Sequence, residues 1–197
     1  KITTIINDVE FVYDPKIVLP DALHSFVALK SWTNNLTSKD GLKTNDGNVG
    51  PVVIRDVIHF GKNIGFMLID SHATWKENMI PSIGFMRNPC VAVLPIFHNE
   101  EGIVCTALVQ QMRIPVGGYT IEMPAGICDE EFKGQAAKEL KEELGLVISA
   151  DKINWLYENQ YTSPGGSNEE ISLGFVWVND FIEQMPKENL KKIRGVK

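Results

Sequence analysis

The amino-acid sequence predicts an α+β fold, and three of its features favour that class. Short β-branched and aromatic runs dominate residues 1–122, one amphipathic helix follows at 134–144, and further strand-like runs come after it. A doubly wound α/β chain would instead alternate strands with helices throughout. The sequence therefore indicates strands and helices that are segregated along the chain.

Residues 1–86 are predicted to form a small N-terminal antiparallel β domain. Residues 1–30 mix short apolar runs with prolines, which indicates strands and turns. Residues 31–50 are rich in Asn, Gly, Ser, Thr and Asp, a composition that predicts a long, mobile loop. The β-branched runs at 52–60 and 64–70 are separated by Gly-Lys-Asn, so we expect a hairpin there.

Residues 87–197 are predicted to form the second domain. The near-continuous apolar run at 90–97 predicts a buried strand, and a second strand is expected at 103–114. A turn at Gly117-Gly118 then leads into a short strand that ends at Glu122.

The helix at 134–144 carries apolar residues at positions i, i+3 and i+7, which makes a stripe of Ala137, Leu140 and Leu144. Gly145 suits the left-handed position that ends many helices. Two further strands are predicted around the turn at 162–168, and a second, weaker helix is predicted at 180–193.

Composition and charge limit the possible functions. The 197 residues are 44% hydrophobic, with a formal net charge of -6 and a pI of about 5.3. This acidic balance argues against a nucleic-acid partner, and no apolar run approaches the ~20 residues of a membrane span. The three cysteines form no Cys-x-x-Cys pair, which favours a reducing compartment. We expect a cytoplasmic protein; the start at Lys1 is also compatible with a removed organelle-targeting segment.

The helix crowds three carboxylates, Glu139, Glu142 and Glu143, into an arc of roughly 100°. Like charges this close repel each other, and a divalent cation such as Mg²⁺ would offset the repulsion. The alternative is a solvated helix face in which Lys138 and Lys141 pair with the glutamates.

Two flanking segments favour the metal interpretation. Upstream, Glu122-Met-Pro-Ala-Gly126 ends in a glycine that permits close backbone approach, and the Ala125 carbonyl is a further hard oxygen ligand. Downstream, residues 163–170 form a Gly-Gly loop with two carboxylates, which suits a movable general base. An ordinary turn with solvated acids is the alternative for that loop.

These segments together resemble the Nudix hydrolase family. Lys138–Leu146, "KELKEELGL", matches the second half of the Nudix signature in spacing, with Lys138 in place of its Arg. Gly126 lies two residues closer to this segment than in the signature, and Glu130 stands where its first Glu belongs. The flanks "QQMRIPVGGYTIEMPAG" and "SPGGSNEE" resemble the ADP-ribose and ADP-sugar pyrophosphatase branch, particularly the plant-like ADP-sugar diphosphatases.

The resemblance implies a Nudix-type mixed β-sheet packed between helices, preceded by a β domain that exchanges between the subunits of a homodimer. It also implies a Mg²⁺-dependent hydrolase, with Mn²⁺ as a substitute, that cleaves ADP-ribose or an ADP-sugar into AMP and a sugar phosphate. Nothing in the residues fixes the base, so UDP-sugars, GDP-sugars and dinucleotides stay open as substrates.

The resemblance further implies roles for individual residues. The metal ligands would be Ala125, Glu139, Glu142 and Glu143. The catalytic residues would be Glu169 as general base, with Glu170 as the alternative, together with Glu142 and Lys138. The substrate-binding residues would be Arg113, Glu122, Gly126, Gly165 and Gly166.

Several alternatives remain open at the level of sequence. Arg113 suits a phosphate contact or an ion pair with a neighbouring acid. Tyr119, Phe85 and Trp32 could each stack on the nucleotide base or belong to a core. Because Lys138 replaces Arg, a catalytically weakened, nucleotide-binding protein is a further possibility, and a structural acidic domain is another.

Overall fold

The computed structural model describes residues 1–19, 21–128 and 132–179, so Glu130 and the helix predicted at 180–193 lie outside the described residues. The described chain divides into two compact units. The first comprises residues 1–89 together with 161–170, and the second comprises 90–160 and the described residues from 171 onward.

The described residues of the first unit form one α-helix and eight strands. In chain order its elements are β1 (Ile2–Ile6), β2 (Val9–Tyr13), α1 (Val27–Leu36), β3 (Gly47–Val49), β4 (Val52–Phe60), β5 (Asn63–Asp70), β6 (Ala73–Trp75), β7 (Asn78–Ile80) and β8 (Gly84–Arg87). One sheet has the order β1-β2-β4-β5-β8 and a second has the order β3-β6-β7. The core centres on the fully buried side chains of Phe11, Leu29, Ile54, Met67 and Met86.

The predicted hairpin at 52–70 is confirmed. β4 and β5 pair antiparallel, and Gly61 takes a positive φ of 64° in the turn between them. The prediction of an antiparallel domain is wrong at one place, because β2 pairs with β4 in parallel. Parallel neighbours need a long crossover, and the segment that contains α1 and β3 supplies it.

The loop predicted at 31–50 is wrong at both ends, because α1 continues to Leu36 and β3 occupies Gly47–Val49. The polar composition of this segment hides a buried stripe of Leu29, Thr33 and Leu36. The hydroxyl of Thr33 donates to the Leu29 carbonyl at 3.0 Å, so its burial leaves no unmet donor. Because Thr33 is polar, the buried face of α1 does not show up as a run of apolar residues at helical spacing.

The second unit contains one described α-helix and seven strands. They are β9 (Cys90–His98), β10 (Val104–Thr106), β11 (Val109–Arg113), β12 (Gly118–Glu122), β13 (Ala125–Ile127), α2 (Phe132–Leu144), β14 (Asn154–Tyr161) and β15 (Glu170–Trp177). The main sheet has the order β10-β9-β15-β14, and β13 pairs with β9 beside it. Because β9 and β15 are parallel while β9 pairs antiparallel with β10 and β13, this sheet is mixed.

The predicted central helix and the buried strand before it are confirmed. α2 packs against β9 and β13, and its buried stripe is Ala136, Leu140 and Leu144, with Ala137 partly buried beside it. Gly145 takes a φ of 77° and donates its N–H to the Lys141 carbonyl at 3.0 Å, which ends the helix in the αL manner.

The remaining structural expectations concern cysteines and membranes. All three cysteines carry thiols, and Cys105 and Cys128 are buried as small apolar side chains. Among the described residues, no helix is long and apolar enough to cross a membrane.

Candidate active site

Two glutamates of α2 converge on the short strand β13. The carboxylate of Glu139 lies directly over Gly126, where the Cβ of any other residue would overlap its oxygen. Glu143 lies one helical turn further on and accepts a 3.3 Å hydrogen bond from the Ala125 N–H. The glycine of the Pro-Ala-Gly segment is therefore required for space, since it lets the backbone lie against a carboxylate.

The Ala125 carbonyl is directed to the same side as its N–H. In an antiparallel ladder a residue either exchanges both of its backbone hydrogen bonds with the neighbouring strand or directs both groups away from it. The Ala125 N–H bonds Glu143 rather than β9, so its carbonyl also points away from β9. A backbone oxygen and two carboxylates thus face the same region.

Gln111 of β11 orients Glu143 from the other side. Its Nε2 donates a 2.8 Å hydrogen bond to Glu143 Oε1, while the Ala125 N–H bonds Oε2. Both oxygens of the carboxylate are thereby held by fixed donors. A role for Gln111 was not predicted from the sequence, although it belongs to the Gln-x-Arg pattern that resembles the pyrophosphatase branch.

Burial raises the pKa of the Glu139 carboxyl, and the nearby carboxylates of Glu143 and Glu142 raise it further. The side-chain amide of Gln135 donates to Glu139 and opposes part of that rise. A partly buried carboxylate beside two others is an unfavourable arrangement that a bound cation would relieve.

Glu142 and Lys138 lie on the exposed side of the helix. Lys138 Nζ is 3.8 Å from Glu142 Oε1, and both side chains are more than half exposed. Within the part of the chain that the structure describes, no three His, Cys, Asp or Glu side chains are close enough together to hold a metal ion as they stand. The structure therefore brings Glu139 and Glu143 to β13 but leaves Glu142 paired with Lys138.

The donor set fits a hard divalent cation. Carboxylate and carbonyl oxygens are the ligands that Mg²⁺ prefers, and Mg²⁺ usually binds through a few carboxylates together with substrate phosphates. The cradle that Gly126 opens in front of Glu139 supplies the space. Imidazole and thiolate, which other metals favour, are absent from this group of residues.

Arg113 and Glu122 form a bidentate ion pair on the β11–β12 hairpin. Arg113 Nε and Nη2 donate to the two Glu122 oxygens at 2.8 and 2.5 Å, and the Thr120 hydroxyl donates to the same carboxylate. These donors, Arg113 first, lower the pKa of the Glu122 carboxyl to about 2. Arg113 therefore forms an ion pair with a neighbouring acid, which was the alternative to a phosphate contact.

The Gly-Gly loop docks on β8 within the first unit. Ser163 accepts hydrogen bonds from the N–H groups of Gly166 and Ser167, which makes a compact turn. Glu169 Oε1 forms a 2.8 Å ion pair with Arg87 Nη1. Its Oε2 accepts a 2.8 Å hydrogen bond from the Thr162 hydroxyl. Nothing in the sequence pointed to Arg87 as a partner of Glu169.

The three candidate base-stacking residues have different surroundings. Tyr119 is 68% exposed on the hairpin. Phe85 packs on Phe66 on the outer face of the first sheet, and Trp32 contacts Phe11 edge-on. Trp32 also lines a cavity of about 670 Å³ inside the first unit, to which Gly165 and Gly166 contribute.

Comparisons with known proteins bear on this geometry. The chain is 33% identical over 190 residues to "Nudix hydrolase 14, chloroplastic" of Arabidopsis thaliana, an alignment that covers 89% of this chain and 59% of that protein. The chain is related to the Nudix hydrolases. The resemblance inferred from the sequence is thereby confirmed.

Two shorter alignments are to relatives whose names state a substrate. The chain is 32% identical over 74 residues to "ADP-sugar pyrophosphatase" of Mus musculus, covering 36% of this chain and 34% of that protein. It is 36% identical over 92 residues to "ADP-ribose pyrophosphatase" of Saccharomyces cerevisiae, covering 45% and 38%. The chain thus spans at most 59% of the length of these relatives. No protein-family model matches the chain.

Proposed function

We propose that this protein is a Mg²⁺-dependent hydrolase of nucleoside diphosphate sugars that converts ADP-ribose or an ADP-sugar into AMP and a sugar phosphate. The observation that carries the proposal is the convergence of Glu139 and Glu143 on the Ala125–Gly126 backbone. The Mus musculus and Saccharomyces cerevisiae relatives are named as pyrophosphatases of ADP-sugar and ADP-ribose.

The metal would be held by Glu139, Glu142, Glu143 and the Ala125 carbonyl. When bound, Mg²⁺ would supply positive charge to the diphosphate oxygens and acidify the attacking water, and Mn²⁺ could replace it. To contribute, Glu142 would turn towards β13 and offer its Oε2 to the metal, while Lys138 stays paired with its Oε1. Any loosening of this exposed pair costs no more than about 1 kcal/mol.

The chain's own residues would position the substrate and move one proton. Water attacks one phosphorus, the bridging P–O bond breaks, and the bridging oxygen leaves with one phosphate. Glu169 takes the proton from the attacking water, and Glu170 is the alternative base. The Arg113 guanidinium has five N–H donors and uses two on Glu122, so the others remain to bind a phosphate oxygen.

The remaining residues named from the sequence have supporting roles in this proposal. Lys138, at the position where the signature has Arg, would steady Glu142 through its Oε1 while the other oxygen binds the metal. Glu122 would hold Arg113 extended. Gly126 would admit Glu139 to the backbone, and Gly165 and Gly166 would let the loop approach the substrate closely.

A second candidate is a catalytically weakened nucleotide-binding protein. Lys138 favours it, because a lysine cannot make the planar two-point contact of an arginine. UDP-sugars, GDP-sugars and dinucleotides are the competing substrate classes, since none of the contacts described above selects a base.

Domain organisation and assembly complete the proposal. We take residues 1–86 as the dimerising β region, exchanged between subunits, and 87–197 as the Nudix domain with a mixed sheet between helices.

An exposed apolar face on the β11–β12 hairpin supports a homodimer. Five of its residues are more than half exposed: Met112, Ile114, Val116, Tyr119 and Ile121.

The compartment is also a proposal. The sequence predicts the cytoplasm, whereas the Arabidopsis thaliana relative is named as chloroplastic. Imaging of the full-length protein with a C-terminal fluorescent tag decides between these compartments.

A substrate panel tests the function directly. Purified protein is incubated with Mg²⁺ and, separately, ADP-ribose, ADP-glucose, UDP-glucose, GDP-mannose, NADH and diadenosine polyphosphates, and the products are separated by liquid chromatography. We expect AMP and a sugar phosphate from the two ADP compounds. Turnover of another class alone would reassign the substrate, and tight nucleotide binding without any turnover would favour the weakened protein.

Sedimentation tests the homodimer. We expect a dimer that Ile121→Lys weakens, whereas Ile103→Lys, an exposed apolar position outside the hairpin, leaves it unchanged. A monomeric wild-type protein at working concentrations would contradict the proposed assembly.

A further inference from the structure

We propose that Arg87 is a positioning residue for Glu169, holding the carboxylate of the general base at a fixed place on β8. This inference rests on the proposed function, in which Glu169 accepts the proton from the attacking water. It assigns a catalytic task to a residue that lies outside the Nudix signature and its flanking segments.

The ion pair is direct and partly buried. Arg87 Nη1 lies 2.8 Å from Glu169 Oε1, and the two side chains are 27% and 24% exposed. Two other described ion pairs, Arg55–Asp70 and Lys138–Glu142, have their cations more than half exposed. Because solvent and salt screen a partly buried pair less, Arg87 holds its carboxylate more firmly than those surface pairs do.

Contacts that do not involve Glu169 also hold the Arg87 side chain in place. Its guanidinium carbon lies 5.4 Å from the centre of the Phe66 ring. Phe66 in turn contacts Phe60 and Phe85, each at 4.9 Å between ring centres. A cation over an aromatic face gains electrostatic attraction, and a planar guanidinium stacks well there. The aromatic cluster therefore preorganises the arginine.

The backbone of the loop is docked on the same strand. The Phe85 N–H donates to the Gly166 carbonyl at 2.8 Å, and the Asn168 N–H donates to the Phe85 carbonyl at 3.3 Å. The side-chain oxygen of Asn168 accepts the Arg87 N–H at 2.9 Å. β8 is the last strand of its sheet, so the loop covers an edge that would otherwise expose unpaired backbone groups.

Two of its contacts orient the Glu169 carboxylate. Arg87 bonds Oε1, and the Thr162 hydroxyl bonds Oε2 at 2.8 Å. A base held at both oxygens keeps its direction as well as its place.

The test compares Arg87→Ala and Arg87→Lys with Arg55→Ala. Arg55 is the matched control, because it pairs with Asp70 on the same sheet and has no part in the proposed machinery. We expect Arg87→Ala to lower kcat about 10- to 100-fold, the cost of a misplaced group, with KM nearly unchanged. Arg87→Lys should recover part of the loss, and Arg55→Ala should keep wild-type kcat.

A double variant tests whether Arg87 acts through Glu169. If it does, Arg87→Ala combined with Glu169→Gln should be no slower than Glu169→Gln alone. Independent, multiplied losses would overturn the inference, as would a rise in KM without a fall in kcat, since either result would make Arg87 a substrate contact.

Amide hydrogen exchange separates this inference from the proposed function. The Thr162 N–H donates to the Glu169 carbonyl, and the Phe85 N–H donates to the Gly166 carbonyl. We expect both amides to exchange faster in Arg87→Ala but not in Arg55→Ala. If the wild-type protein is active and Arg87→Ala matches it in kcat and exchange, the inference alone fails. If the wild-type protein hydrolyses nothing, the proposed function fails, and so does the role of Arg87 in catalysis. Amide exchange would then still show whether Arg87 anchors the loop to β8.

Discussion

Gln111 donates a hydrogen bond from Nε2 to Glu143 Oε1 at 2.8 Å, across 32 positions of sequence. The Ala125 N–H holds the other oxygen. Glu143 is therefore the carboxylate of α2 whose direction is set by fixed donors from two other strands. In the proposed function that direction matters, because a metal ligand has to be oriented before the metal arrives.

Replacing Gln111 should weaken metal binding without unfolding the protein. We expect Gln111→Leu to lower the affinity for Mn²⁺ about 10- to 100-fold, the usual effect of losing a group that orients a ligand. Electron paramagnetic resonance of free Mn²⁺ measures the affinity directly. Gln110→Leu is the control, because successive strand residues face opposite sides and Gln110 is exposed. Equal Mn²⁺ affinities in the wild-type protein, Gln111→Leu and Gln110→Leu would show that Gln111 does not contribute to the metal site.

Gly126→Ala should damage the site more than the fold. The added Cβ would overlap the Glu139 carboxylate, which is the far end of a flexible side chain and can swing away. We expect a small fall in melting temperature and loss of most Mg²⁺-dependent turnover. Gly118→Ala, where a Cβ meets nothing within 4 Å, should retain wild-type activity. An active Gly126→Ala variant would show that Glu139 does not need its place over β13.

The sequence predicted the elements whose signals are local. Gly145 and the apolar stripe define α2 within one short segment, and the Gly61 turn defines the β4–β5 hairpin in the same way. α1 was missed because Thr33 is buried on its inner face and satisfies its hydroxyl within the helix, which breaks the apolar pattern.

Contacts between distant residues were outside the reach of sequence reasoning. The Gln111–Glu143 bond, the Arg87–Glu169 pair and the parallel pairing of β2 with β4 all depend on how separate segments meet. The spacing of the glutamates indicated a cation site. It could not show that Glu142 pairs with Lys138 while Glu139 and Glu143 lie at β13.

The Arg113–Glu122 pair should persist far into the acid range. The pKa of the Glu122 carboxyl is lowered to about 2, first by the hydrogen bonds from Arg113 and then by Thr120. A lowered folded-state pKa stabilises the fold above the ordinary pKa, and that stabilisation is lost as the pH falls through about 2.

Carbon-detected NMR of the Glu122 carboxyl during an acid titration measures this pKa. We expect the midpoint to lie near 2 in the wild-type protein and to rise towards the ordinary range in Arg113→Met, where the Thr120 hydrogen bond remains. A midpoint in the ordinary range for both proteins would show that the ion pair does not form in solution.

Lys138→Arg should introduce the arginine that the Nudix signature has at this position and raise kcat slightly. An arginine can bond Glu142 at two points, whereas Lys138 reaches it at 3.8 Å as a single charge. A gain of up to about 1 kcal/mol for an exposed pair corresponds to at most about a fivefold rise in kcat. Steady-state kinetics at saturating Mg²⁺ measure it, and a rate below that of the wild-type protein would contradict the role proposed for Lys138.

The most direct measurement is the rate of AMP release from ADP-ribose and ADP-glucose by Glu143→Gln across a Mg²⁺ titration. Glu158→Gln, an exposed glutamate on β14 outside the proposed machinery, serves as the control. We predict Mg²⁺-dependent turnover by the wild-type protein and Glu158→Gln, and its loss in a Glu143→Gln variant that keeps the wild-type circular dichroism spectrum and melting temperature within a few degrees. Wild-type rates from folded Glu143→Gln would contradict the claim that α2 and β13 form the metal–diphosphate site.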